Sequence, residues 1–138
     1  MSDKTLEQQR AKHAWDAIIG LRIPNADPPY GEETETYARE AKKLPVRIRN
    51  AGLGQALAFL KAKEKKKHGL KKLLNDLTGW VVGQRGIGKP PQDLLDNYLE
   101  GDADLLRRAT DETLAYLVWL NRFADAEGIM TDEAEGGD

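Results

Sequence analysis

The 138-residue chain contains no cysteine. Disulfides and thiolate metal sites are thereby excluded, and the composition suits a reducing compartment. Only two histidines are present, His13 and His68. They stand far apart, and neither belongs to a metal spacing such as H-E-x-x-H. The longest unbroken apolar run, Leu114 to Leu120, is far too short to cross a bilayer. The N-terminal stretch Met-Ser-Asp-Lys-Thr-Leu-Glu-Gln-Gln-Arg is polar and lacks the apolar centre of a signal peptide. A cytoplasmic location is therefore expected, with no membrane partner. No segment alternates as a half-buried strand would, no internal repeat occurs, and nothing nominates a nucleophile.

Charge is present in blocks. Residues 1–41 carry 5 Lys/Arg and 8 Asp/Glu, residues 42–89 carry 13 and 2, and residues 90–138 carry 3 and 13. The net charge of −2 thus hides a middle third at +11 between acidic ends. A local basic face is what a phosphate backbone meets. The competing reading is that basic and acidic thirds pack against each other or against neighbouring copies.

Apolar spacing is helical nearly throughout, which predicts an all-α fold: a single compact bundle of about six helices over residues 1–129. Ala11, Ala14, Trp15, Ile18 and Leu21 form one stripe on a first helix. The proline-rich segment Pro24 to Gly31 breaks it. A second helix opens near Glu32 with an acidic first turn, continues as a kinked helix through Pro45 to Asn50, and ends at Gly52 as a left-handed cap. Leu53 to Lys67 is a third helix with Leu53, Leu57 and Leu60 inward. His68-Gly69 reads as a break, before Leu70 to Val82 with Leu70, Leu73, Leu74, Leu77 and Trp80 inward. A short helix over 93–99 and a long one from Asp102 to about Glu127 follow, the latter with Leu106, Ala109, Thr113, Leu117, Leu120 and Ala124 on one seam. The acidic tail 130–138 is expected to be disordered. The aromatics Trp15, Phe59, Trp80, Tyr116, Trp119 and Phe123 fall on apolar faces and read chiefly as core.

One motif is a decoy. Gly83-Gln-Arg-Gly-Ile-Gly-Lys89 matches G-x-x-x-x-G-K. A phosphate loop next needs Ser or Thr on a helix N-terminus. Pro90-Pro91 follows instead, with no hydroxyl and no backbone N–H. The loop reads as a flexible connector, or as one whose Arg85 and Lys89 touch a phosphate or a neighbour. Asp93/Asp96 and Asp102/Asp104 fall where helices start, which explains them as caps and dipole partners. The chain is expected to be no enzyme and to need no cofactor, metal or small-molecule substrate.

The basic residues are more specific. Lys43/Arg47, Lys61/Lys65, Lys63/Lys67 and Lys67/Lys71 are each four apart. On a helix that spacing crowds like charges on one face, which a polyanion would relieve. Lys42, Lys43, Arg47, Arg49, Lys61, Lys63, Lys65, Lys67 and Lys71 are the candidate RNA-binding residues. No aromatic interleaves with them, so contact with the backbone, independent of base sequence, is expected.

Several blocks carry a family resemblance. They are Arg10-Ala-Lys-His-Ala-Trp15, Tyr37-Ala-Arg-Glu-Ala-Lys-Lys-Leu-Pro45, Asn50-Ala-Gly-Leu-Gly-Gln-Ala-Leu-Ala-Phe-Leu60, Thr110-Asp-Glu-Thr-Leu-Ala-Tyr-Leu-Val-Trp119 and Arg122-Phe-Ala124. Over roughly residues 10–127 the chain resembles the small helical subunit of the type III-B CRISPR (Cmr) effector complex. Asn121 stands where that pattern leads one to expect lysine or arginine, and residues 83–91 match no part of it. The resemblance implies a subunit with no active site of its own. Its copies stack head to tail beside the subunits that hold guide RNA, and they help to bind target RNA for antiviral defence. Its implied partners are other Cmr subunits, further copies of itself, and guide and target RNA. Two other readings of the residues stay open: a protein-only helical adaptor, and a freestanding nucleic-acid-binding protein.

Overall fold

The computed structural model describes residues 3–129. Among them are six α-helices and one π-helical segment, with no strand. The expected tail 130–138 lies outside the described residues.

Helix α1 (Leu6–Ile19) opens with a capping box: the Thr5 hydroxyl accepts from the Gln8 backbone N–H, and the Gln8 side chain accepts from the Thr5 N–H. It buries Ala14, Ala17 and Ile18, leaving Trp15 half-exposed. Helix α2 (Glu32–Ala51) runs through Pro45 without a break. Proline has no N–H, so the carbonyl of Ala41, one turn earlier, loses its helical donor. The Asn121 side-chain amide donates to that carbonyl at 3.0 Å. Asn121 therefore supplies the hydrogen bond that Pro45 removes.

Gly52 joins α2 to α3 (Leu53–Lys63). Its N–H donates to Ile48 O and its carbonyl accepts from the Ala56 N–H. The expected left-handed cap is corrected: φ is positive, at 92°, but ψ is 157°. That extended, positive-φ region is open essentially to glycine alone.

Helix α3 ends at Lys63, one turn before the expected Lys67. Residues 64–67 turn, with the Lys66 and Lys67 N–H groups both donating to Lys63 O. His68-Gly69 is not a break but the start of α4 (His68–Thr78). Gly69 lies against α2, where an added Cβ would fall 2.3 Å from the Glu33 carbonyl oxygen. The Gly69 N–H donates to the Glu33 carboxylate at 2.8 Å. A tertiary contact, not chain reversal, requires this glycine. Leu70, Leu73, Leu74 and Leu77 then pack into the core.

Beyond α4 the helix widens into the π-helical segment Gly79–Gln84, which buries Trp80, Val81 and Val82. Residues 83–91 are tied down, which corrects the flexible-connector reading. Ile87 is buried and its N–H donates to Val81 O. Asn97 accepts from the Lys89 N–H at 2.7 Å and donates to the Lys89 carbonyl. Asp93 caps α5 (Leu94–Glu100) and Asp102 caps α6 (Ala103–Ala126). Helix α6 packs on α1 and α2 through Ala109, Thr113, Tyr116, Leu117, Leu120 and Ala124; Leu106 is only half-buried. Tyr116 stacks on Trp80, while Trp15, Phe59, Trp119 and Phe123 are half-buried at the core's edge.

Candidate nucleic-acid interface

The basic residues sit on three packed elements: Lys42, Lys43, Arg47 and Arg49 on α2, Lys61 and Lys63 at the end of α3, and Lys65, Lys66 and Lys67 in the turn leading to Lys71 on α4. The early end of α3 changes their relationship. Lys61/Lys65, Lys63/Lys67 and Lys67/Lys71 do not share one helix, so the expected single crowded face is corrected. Only Lys43 and Arg47 keep helical spacing.

Tertiary packing sorts the cations. Arg47 and Lys63 are brought together across one ring, the guanidinium 4.1 Å and the ammonium 5.1 Å from the Phe59 centroid. Arg47 also donates to Glu40 at 2.9 Å. Lys42 is drawn to Asp125 on α6 at 3.1 Å, and Lys72 to Asp76. Lys61 points to Asp93, the cap of α5, at 2.7 Å. That bond raises the Lys61 pKa. Burial pushes the Asp93 carboxyl up, yet the donated bonds from Lys61 and the Asp96 N–H outweigh it and leave the group lowered. Part of the charge segregation in the sequence is thus internal packing between basic and acidic thirds. Arg49, Lys65, Lys66, Lys67 and Lys71 are exposed and make no ion pair among the described residues. With Lys63, they are cations that no acid holds among the described residues.

A second charged cluster escaped the sequence reading. Glu112 is 6% exposed and accepts from Arg10 (2.6 and 3.0 Å), the Trp80 indole N–H (2.7 Å) and Arg85 (3.2 Å). Burial pushes its carboxyl up, but these four donated bonds outweigh burial and hold it below the usual glutamate value. One signal was available: Glu112 falls between Ala109 and Tyr116 at helical spacing, an acid on an apolar seam. Beside it, His13 shares a 2.6 Å hydrogen bond with Tyr116, and burial lowers its pKa.

Among the described residues, no three His, Asp or Glu side chains are grouped to hold a metal ion, and no helix is long and apolar enough to cross a membrane. A small all-α bundle, basic along α2–α4 and acid-capped on α5 and α6, is the class of protein this fold defines. The family model described as CRISPR-associated protein (Cas_Cmr5) matches residues 6–127, and the chain belongs to the Cmr5 family. It is 41% identical over 96 residues to the CRISPR system Cmr subunit Cmr5 of Thermus thermophilus, across 70% of this chain and 78% of that one. A crystal structure of a CRISPR-associated Cmr5 family protein from the same organism superposes with a TM-score of 0.68 at 32% identity. The superposition covers 90% of this chain and 97% of that one.

Proposed function

We propose that this chain is a non-catalytic small subunit of a type III-B CRISPR (Cmr) ribonucleoprotein effector, working in the cytoplasm in antiviral defence. Copies stack head to tail beside the subunits that hold guide RNA. Such a contact is heterologous, so it propagates instead of closing, and a basic middle facing acidic ends favours it. Other subunits supply the chemistry. The family membership and the relative's name as a Cmr subunit support the assignment to the complex.

Contact with target RNA rests on one observation. Lys65, Lys66, Lys67 and Lys71 are exposed on the α3–α4 turn and the start of α4, with no acidic partner among the described residues. Arg47 and Lys63 border the same region on α2 and α3, with Lys43 and Arg49 further along α2. Lys61 contributes less, because the mostly buried Asp93 already holds it, whereas the pair of Lys42 with the exposed Asp125 is weak and exchanges for a phosphate. Phosphate contacts of this kind position RNA without reading its sequence.

The test is K65A/K66A/K67A/K71A in the assembled complex, where neighbouring copies supply effective concentration. Target-RNA affinity is expected to fall for all sequences alike. The salt dependence should flatten by roughly 0.7 units of slope per lost contact. A variant that assembles normally with unchanged affinity and salt slope refutes RNA contact here and leaves the lysines as a solvated face. Failure of the parent chain to co-purify with larger Cmr subunits and guide RNA refutes the assignment to the complex.

A further inference from the structure

Arg85, the first residue after the π-helical segment, lies with Arg10 of α1 and Arg107 and Arg108 of α6 around one open cleft of about 360 Å³. None of the α2–α4 cations lines it. We propose that this cleft is a second oxyanion site, separate from the lysine face, that takes a phosphodiester of single-stranded RNA. The proposal rests on the RNA-binding reading given above.

Three observations carry it. The first is preorganisation. Glu112 accepts the Arg85 Nε–H at 3.2 Å and fixes the guanidinium, while the two terminal Arg85 nitrogens have no acceptor among the described residues. Arg85 is 35% exposed, so these donors are reachable. A guanidinium fixed in this way presents the fork that matches phosphate geometry and loses little freedom on binding. The second is supply of charge. Glu112 is fully engaged by Arg10, Trp80 and Arg85 and has no capacity to neutralise further cations. Among the described residues, Arg107 and Arg108 pair only with Asp104 and Asp111, carboxylates that are 61% and 72% exposed. Exposed pairs like these are weak and exchange readily for a better oxyanion. The third is the lining. Besides the four arginines the cleft is walled by the buried Ile87, the small Ala115 and two carboxylates, Glu112, already bonded to Arg10 and Arg85, and the exposed Asp111. The cleft therefore offers no pocket for the aromatic or aliphatic anchor on which protein interfaces depend, and it suits a backbone phosphate better than a protein partner.

The π-helical segment makes this arrangement. By widening the helix it directs the Trp80 indole N–H onto Glu112 and delivers Arg85 to the same carboxylate. The Gly83–Lys89 loop, which fails as a nucleotide-binding motif, thus holds an arginine in place.

The indole N–H of Trp80 is a built-in reporter, because it hydrogen-bonds the carboxylate that positions Arg85. The full chain is titrated with a short oligouridylate while the three tryptophan indole resonances are followed by NMR, with oligoglutamate in a parallel titration. The expected result is a saturable shift of the Trp80 resonance with RNA and a smaller one with oligoglutamate. R85Q should abolish the shift. R107A/R108A, which alters only exposed side chains, should weaken it at least about tenfold, the loss of one charged hydrogen bond. K65A/K66A/K67A/K71A should retain it. The proposal is overturned if RNA leaves the Trp80 resonance unmoved, if oligoglutamate moves it equally, or if R107A/R108A responds like the parent. A silent Trp80 alongside loss of RNA affinity in the lysine variant refutes the cleft and leaves the lysine face standing. The reverse pattern refutes the lysine face and keeps the cleft.

Discussion

Replacing Glu112 with alanine removes one carboxylate and strands donors on three residues, Arg10, Trp80 and Arg85. The Trp80 indole N–H is buried, with Trp80 itself only 2% exposed. A buried donor left without an acceptor costs about 1–3 kcal/mol. The Arg10 side chain is 13% exposed and keeps a bond to Glu7. Breaking a fully buried pair costs about 3–5 kcal/mol, and the partial exposure of Arg10 brings its share below that range. Arg85 is more exposed and loses least. The combined loss is about 3–4 kcal/mol, against a total stability of about 5–15 kcal/mol for a domain. Melting should fall by about 10–15 °C for a chain of this length. The pH dependence gives an independent check. The folded pKa of Glu112 is lowered, so its contribution is complete above the unfolded value of about 4.3. It is lost as pH falls through the folded value. The gap in urea stability between parent and E112Q should therefore be widest near neutrality and close on acidification. An E112A variant melting within about 2 °C of the parent at neutral pH would refute the reasoning, since that corresponds to under about 1 kcal/mol. So would an E112Q gap that does not depend on pH.

Asn121→Leu should cost about 1–3 kcal/mol by leaving the Ala41 carbonyl without a donor. In a Pro45→Ala background, residue 45 regains its N–H, so the same change should cost less; a double-mutant cycle in urea measures the difference. Gly69→Ala places a methyl group 2.3 Å from the Glu33 carbonyl and should lower stability by about 1–3 kcal/mol, while an unchanged urea midpoint would show that α4 can move off α2 freely. Lys61→Ala should lower RNA affinity of the assembled complex by less than Lys65→Ala does and cost under about 1 kcal/mol of stability, because its ammonium is committed to Asp93 at a part-exposed site.

Element type and apolar face were legible wherever the signal was local. The seams of α4 and α6 read directly from three- and four-residue spacing, and Asp93 and Asp102 read as caps because a cap serves its own first turn. The basic block was visible as composition, but the fate of each cation was not. Lys61 and Lys65 look alike in sequence; one meets an acid 32 residues away and the other meets none among the described residues.

By itself the sequence determined the helical class, the order of the helices, most of the core and the concentration of positive charge in the middle third. Each depends on residues within a turn or two of one another. The tertiary structure alone decided three things. It made Gly69 a packing glycine instead of a break, because only there does the Glu33 carbonyl come within 2.3 Å of a would-be Cβ. It made Asn121 the donor for the carbonyl that Pro45 leaves open, across 80 residues. It gathered Arg10, Trp80 and Arg85 around Glu112, a carboxylate up to 102 residues from its donors. A buried polar group takes whichever partner the packed chain brings within about 3 Å, and sequence spacing carries no record of that distance.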